Sequence, residues 1–175
     1  GKSVYASLLY NSSVTACDIH EHRIKLIESY AKKYGANVST TLNDACKVNP
    51  NFINKFNCVM LDVPCSGTGV LNKKPDAMLS KTYADVLNLA EIQKTMLQTA
   101  SKYVCVGGIL NYSTCSIMHE ENEDVINWFL KNNKNFKIEK IKVNQNVVNR
   151  NELITFYPNV SGTEGFFIGR LKKYE

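Results

Sequence analysis

"VTACDIHEHRIKLIESYAKKYGANVST", residues 14–40, reads as a strand, a helix and a second strand in one continuous unit. The outer runs "VTAC" (14–17) and "NVST" (37–40) are short and β-prone. Between them Ile24, Ile27, Tyr30, Ala31 and Tyr34 recur at helical intervals, and Gly35 stands where a left-handed C-terminal cap is expected. Outward from this unit, "NCVML" (57–61), "ILNYS" (109–113), "FKIEKIKV" (136–143) and "FFIGRL" (166–171) also look like strands. Leu89, Ile92, Met96, Ala100 and Tyr103 outline a further helix. Another, from about His119 to Lys131, gathers Glu120, Glu121, Glu123 and Asp124 in its first turn, where carboxylates favour the helix dipole. Strands alternating with helices predict an α/β fold, a mostly parallel doubly wound sheet with helices on both faces.

The 175 residues suit one domain, 1–175, and 44% hydrophobic content is a globular value. No apolar run reaches the roughly 18–20 residues of a membrane helix, so no membrane partner is expected. "GKSVYASLLY" lacks the order of a signal peptide, which places the chain inside the cell, in the cytoplasm for preference. The six cysteines then meet a reducing compartment; none forms a C-x-x-C pair, and His20, His22 and His119 do not join them at ligand spacing, so no metal is expected. A net charge of +5 permits a polyanionic partner without requiring one. The asparagine- and lysine-rich stretch 131–151 carries nothing that reads as catalytic, and 72–82, "NKKPDAMLSKT", is the best candidate for a mobile surface loop.

In open α/β sheets ligands bind beyond the carboxyl ends of the strands. That rule puts Asp18, Asp44, Asp62 and Cys115 on one rim, because each follows a predicted strand. Cys65 in "DVPCSG" and Cys115 in "YSTCS" lie 50 positions apart, yet each sits just past a strand of the same sheet, so their thiols can meet. Their neighbours are polar and turn-forming; Cys46, Cys58 and Cys105 read instead as small buried hydrophobes. Pro64, with no N–H and a fixed φ, holds Cys65 out of the ladder, and Gly67 and Gly69 permit positive φ or close approach.

These residues carry a resemblance. The stretches "ACDIHEHRIKLI", "DVPCSGTGVLNKKPDA", "LAEIQKTMLQTA", "GGILNYSTCSIMHEENEDVI" and "GTEGFFIGRLKK" resemble the NOL1/NOP2/Sun family of RNA cytosine-5 methyltransferases, most closely its bacterial Sun/Fmu (RsmB) ribosomal RNA branch. The likeness spans almost the whole chain. It implies a Rossmann-like S-adenosylmethionine-dependent fold with an antiparallel last strand. It also implies a first strand and glycine-rich loop, of which this chain carries only the tail "GKS", and an amino-terminal RNA-binding region that precedes it. On that view the chain is a fragment of the catalytic domain, and a gap, a substitute or a partner is expected between the strands ending at Cys17 and Leu61.

The resemblance assigns roles. The cysteine of T-C, Cys115, is the nucleophile that attacks carbon 6 of cytosine; that of P-C, Cys65, assists release of the adduct. Asp62 orients the base and adjoins the cofactor. Lys2 is a candidate for activating Cys115, and with Gly1 it belongs to the cofactor loop. Asp18, sixteen positions beyond Lys2, is the expected ribose ligand of S-adenosylmethionine, flanked by Arg23 and Asp44. Ribosomal RNA is the preferred substrate and transfer RNA the next; a DNA enzyme, in which the P-C cysteine would attack, leaves the T-C motif without a use. The alternative of another class is a non-catalytic RNA-binding or ribosome-assembly module that keeps the fold.

Overall fold

A computed structural model describes residues 1–71, 73, 81–143 and 147–175. Apart from Lys73, Lys81 and Thr82, the loop expected at 72–82 lies outside them. The chain groups into two compact units, Gly1–Asn49 and Pro50–Glu175, which together make up the length read above as one domain.

The first unit is the strand–helix–strand of the opening stretch with one helix before it. Helix α1 (Lys2–Tyr10) leads to β1 (Val14–Asp18), α2 (Glu21–Tyr34) and β2 (Val38–Leu42), and β1 and β2 pair in parallel from Val14↔Val38 to Asp18↔Leu42. Gly35 caps α2 at φ 64°, as its position predicted. The sequence reading missed α1 for a physical reason. It buries Val4 and Ser7 but exposes Tyr5, Leu8, Leu9 and Tyr10, so its apolar residues trace no clear stripe.

The second unit contains β3 (Phe56–Asp62), α3 (Tyr83–Ser101), β4 (Val104–Thr114), α4 (Glu123–Asn132), β5 (Phe136–Ile138), β6 (Val148–Arg150), β7 (Leu153–Phe156), the single-turn α5 (Pro158–Ser161) and β8 (Phe166–Lys173). The sheet order is β3-β4-β8-β7-β6, with β5 also on β8. β3 and β4 are parallel, and β8 returns antiparallel to β4, so the expected antiparallel last strand is there. The antiparallel part is larger than that one strand, because β5, β6 and β7 extend it. The core holds Leu61, Leu97, Leu110, Tyr112, Ile126, Phe129, Phe167 and Leu171, drawn from β3, α3, β4, α4 and β8.

Three departures from the sequence reading have physical causes. β5 stops at Ile138 instead of running to 143: it pairs with residues 171–173 of β8, and β7 pairs with 166–168, so the two strands divide β8 between them. The β6–β7 hairpin turns at Asn151 and Glu152, both with positive φ as a two-residue type I′ turn requires, but Asn-Glu lacks the glycine that usually announces one. β4 begins at Val104, through "VGG" rather than after it, because a register shift opposite Phe56 and Cys58 lets the glycines bulge. The strands ending at Asp18 and Asp62, between which the resemblance places a further strand, stand in separate sheets, and β1 pairs with β2 alone among the described residues.

Candidate active site

β3 and β4 end side by side, with Asp62 paired to Ser113, and the chain leaves each through a short polar loop that carries one cysteine. The expected meeting of the thiols occurs. Cys65 Sγ and Cys115 Sγ are 2.8 Å apart, well beyond a disulfide bond of about 2.05 Å, so they share a hydrogen bond instead. The backbone N–H of Cys115 also donates to Cys65 Sγ at 3.3 Å. Both residues are half-buried at the rim.

The pairing splits the two thiols electrostatically. The hydrogen bond from Cys65 is the largest influence on Cys115 and pulls it down to about 7, against the opposing effects of burial and the nearby Asp62 and Glu121 carboxylates. The same bond, with burial and the charge on Cys115, drives Cys65 far upward. Cys115 is therefore ionised to a larger extent at neutral pH than an ordinary thiol, of which only a few per cent is thiolate. The other cysteines differ, though not as the sequence suggested. Cys58 is exposed and Cys46 and Cys105 are half-buried, so they are not core hydrophobes; burial raises the thiols of Cys46 and Cys58 away from reactivity.

Glycines let the loops approach so closely. Gly67 takes φ 76°, and Gly69 is crossed by two other backbones: its N–H donates to the Cys115 carbonyl at 2.9 Å, and its carbonyl accepts from Gly165 N–H at 2.8 Å. Asp62 is exposed at the end of β3, where the Ser113 hydroxyl donates to it at 3.0 Å. A cavity of about 200 Å³ lined by Ser66, Thr68 and Tyr83 opens beside this loop pair.

A buried polar layer that binds the residues flanking the two cysteines was missed in the sequence. The side chain of Glu121, fully buried, accepts from Ser66 N–H at 2.8 Å, Ser66 Oγ at 2.5 Å and Gln93 Nε2 at 3.0 Å. Glu121 does not stand in the first turn of α4, where the sequence reading placed it, but in a 3-10 turn (His119–Glu121) just before that helix; its backbone carbonyl also accepts from the Tyr112 hydroxyl at 2.6 Å. The available signal was Gln93, a polar residue between Leu89 and Met96 on the apolar stripe of α3.

The remaining candidates belong to the first unit. Asp18 ends β1, and its carboxylate accepts from His20 N–H at 2.9 Å and lies 3.6 Å from the Arg23 guanidinium. Asp44 lies two residues beyond the end of β2 and accepts from Cys46 N–H at 2.9 Å, so both carboxylates stand at or just past neighbouring strand ends. Gly1 caps α1, with its carbonyl accepting from Tyr5 N–H at 3.0 Å, and Lys2 opens the helix. Asp62, Cys65 and Cys115 thus come together in one unit, and Gly1, Lys2, Asp18, Arg23 and Asp44 are in the other. Among the described residues no group of His, Cys, Asp and Glu could hold a metal ion, and no helix is long and apolar enough to cross a membrane.

Comparison with known proteins gives consistent relatives. The model of the 16S rRNA methyltransferase RsmB/F family matches residues 1–172. A probable ribosomal RNA small subunit methyltransferase B from Bacillus subtilis is 38% identical over 99% of the chain and 41% of its own length. A ribosomal RNA small subunit methyltransferase F from Vibrio parahaemolyticus is 32% identical over 97% of the chain and 37% of its own length. The chain therefore spans about two fifths of the length of these relatives. Among solved structures, NSun6 from Pyrococcus horikoshii with SFG superposes with a TM-score of 0.87 at 29% identity, covering 100% of the chain and 45% of that protein.

Proposed function

The chain belongs to the 16S rRNA methyltransferase RsmB/F family, and from that premise we propose that it methylates carbon 5 of a cytosine in ribosomal RNA through a covalent bond from Cys115 to carbon 6. The observation that carries this reading is the 2.8 Å approach of two thiols with opposite shifts, one lowered to about 7 and one raised. A structural cysteine needs neither; a nucleophile with a separate proton carrier needs both.

The chemistry follows from the cysteines. Carbon 5 of cytosine is too weak a nucleophile to take a methyl group unaided. Addition of the Cys115 thiolate to carbon 6 breaks the 5,6 double bond and leaves an electron pair at carbon 5, which forms the new carbon–methyl bond. S-adenosylmethionine, when bound, supplies the electrophilic methyl. With Cys115 tied up as a thioether, the charge and hydrogen bond that raised Cys65 are gone, so Cys65 releases its proton to solvent. As a thiolate it takes the carbon 5 proton; the electrons of that C–H bond restore the double bond and expel Cys115. Cys65 then again donates to Cys115, which is the resting pair. The net products are the 5-methylcytosine, demethylated cofactor and one proton. The exposed Asp62 carboxylate is suited to accept from the exocyclic amine and orient the base.

The residues of the first unit fit the cofactor by chemistry: Asp18 and Asp44 offer carboxylate acceptors for ribose and adenine donors, from adjacent strand ends. Hydrogen bonds to charged groups contribute about 1.5–3 kcal/mol, so Asp18→Ala is expected to weaken S-adenosylmethionine binding by roughly 10- to 100-fold in calorimetry. An unchanged affinity would remove Asp18 from the cofactor site. The reading as a whole is tested by incubating the chain with methyl-labelled S-adenosylmethionine and ribosomal RNA fragments, then digesting to nucleosides. Label in 5-methylcytidine is expected. RNA binding without label, under conditions where the cofactor also binds, would favour the non-catalytic module.

A further inference from the structure

We propose that the buried dipeptide Glu121–Asn122, with Gln93, is a positioning clamp that holds the two cysteine loops in register and so sets the approach of Cys65 to Cys115. The inference rests on the reading above, since it concerns the same thiol pair, but it is carried by separate observations.

Each cysteine is gripped on both sides. Before Cys65, the Pro64 carbonyl accepts from Gln93 Nε2 at 2.8 Å; after it, Ser66 donates through its N–H and its hydroxyl to the Glu121 carboxylate. Before Cys115, the Thr114 hydroxyl donates to Asn122 Oδ1 at 2.6 Å; after it, the Ser116 carbonyl accepts from Asn122 Nδ2 at 2.9 Å. Consecutive residues thus bind opposite loops, Glu121 the first and Asn122 the second. The Ser66 and Ser116 hydroxyls, 3.3 Å apart, link the two loops directly.

Gln93, Thr114, Ser116, Glu121 and Asn122 are all 0% exposed. Burying a carboxylate and four uncharged polar side chains is costly unless every group finds partners, and an apolar layer would join a helix to a sheet at less expense. What the polar layer adds is direction. Three of these hydrogen bonds fix a backbone group next to a cysteine and two fix the hydroxyl of an adjacent residue, so the sulfur positions are specified to within the tolerance of hydrogen-bond geometry. Glu121 also has an electrostatic drawback, because its charge raises the Cys115 thiol. Its place there is explained by its acceptor geometry, not by its charge.

The test reads thiol chemistry alone, in the whole chain, with neither RNA nor cofactor. Iodoacetamide alkylation of Cys115 and Cys65 is followed against pH by peptide mass spectrometry. In the unaltered chain Cys115 alkylation is expected to have its midpoint near 7, with Cys65 much slower. Gln93→Leu, similar in volume and removing no charge, frees Pro64; Asn122→Ala frees the Cys115 loop. In either variant the Cys115 midpoint is expected to rise by about one unit toward the ordinary thiol value of about 8.5. The preference for Cys115 over Cys65 at pH 7 should fall roughly tenfold. Glu121→Gln keeps the acceptor toward Ser66 N–H and Gln93 and removes a charge that raises the thiol only slightly, so its midpoint should fall by no more than about 0.3 unit from the parent.

A loss of thermal stability alone, with midpoint and preference unchanged in Gln93→Leu or Asn122→Ala, would show these residues to be structural and overturn the clamp. A Glu121→Gln midpoint displaced downward by as much as that of Asn122→Ala is displaced upward would overturn it too, by making charge the operative feature. Should Asn122→Ala fail to fold by circular dichroism, Gln93→Leu decides. Because no methyl transfer is measured, loss of the proposed activity and loss of the clamp are separately visible.

Discussion

Cys115→Ala is expected to lower methyl transfer to RNA by about a thousandfold or more, while leaving cofactor affinity within about twofold. The size follows from the role: removing the nucleophile of a covalent mechanism abolishes the step that makes carbon 5 reactive, and the remaining groups cannot act independently of it. Cys115→Ser should recover little, because an unactivated hydroxyl is far less ionised at neutral pH than a thiol held at about 7. The wild-type rate should also rise with pH through about 7, as the Cys115 thiol ionises, a rise that tracks the alkylation profile. Initial rates with labelled cofactor check each point; a Cys115→Ala rate within tenfold of the parent would remove Cys115 from the chemistry.

Gly69→Ala is expected to cost more stability than any single truncation in the core. A Cβ there would lie 2.5 Å from the Gly165 carbonyl oxygen and 2.7 Å from that of Cys115, and both obstacles are backbone. A flexible side chain can move aside; two strand-end loops joined by the hydrogen bonds of Gly69 cannot. A loss above about 4 kcal/mol is anticipated, a large share of the roughly 5–15 kcal/mol that holds most domains folded. Thermal unfolding should show a fall in Tm of about 10 °C or more. Gly165→Ala meets Gly69 Cα at 2.5 Å, so the same crossing fails from its other side, and the double variant should be much less than additive. A Tm within about 3 °C of the parent in Gly69→Ala would mean that the crossing is looser than its geometry implies.

The parallel strand–helix–strand units were legible because their physics is local: Ile24, Ile27 and Ala31 trace one helix face, Gly35 ends it, and short β-prone runs flank it. The thiol pair was legible because proline, glycine and serine around Cys65 and Cys115 mark turns rather than core. What sequence did not disclose depends on partners distant along the chain. β5 looked longer since nothing in "FKIEKIKV" records that β7 occupies the neighbouring part of β8. Glu121 looked like one of four acids serving a helix dipole, since only the fold brings Ser66 and Gln93 to it. Activation of Cys115 had no visible source in the sequence beyond Lys2 as a candidate; among the described residues the hydrogen bond from Cys65 is the largest lowering influence. Asp18 and Asp44, proposed above as cofactor residues, were singled out by their place at strand ends, a rule of fold and not of local composition.

The most direct test of the central claim is to locate the covalent bond. Cys65→Ala, supplied with S-adenosylmethionine and a cytidine-containing ribosomal RNA fragment, should accumulate a protein–RNA adduct, because the group that removes the carbon 5 proton is gone. Nuclease and protease digestion followed by tandem mass spectrometry should then find a methylated cytidine on the peptide that carries Cys115. A nucleotide on any other residue, or continued turnover with no adduct, would contradict the assignment of attack and release to these two sulfurs.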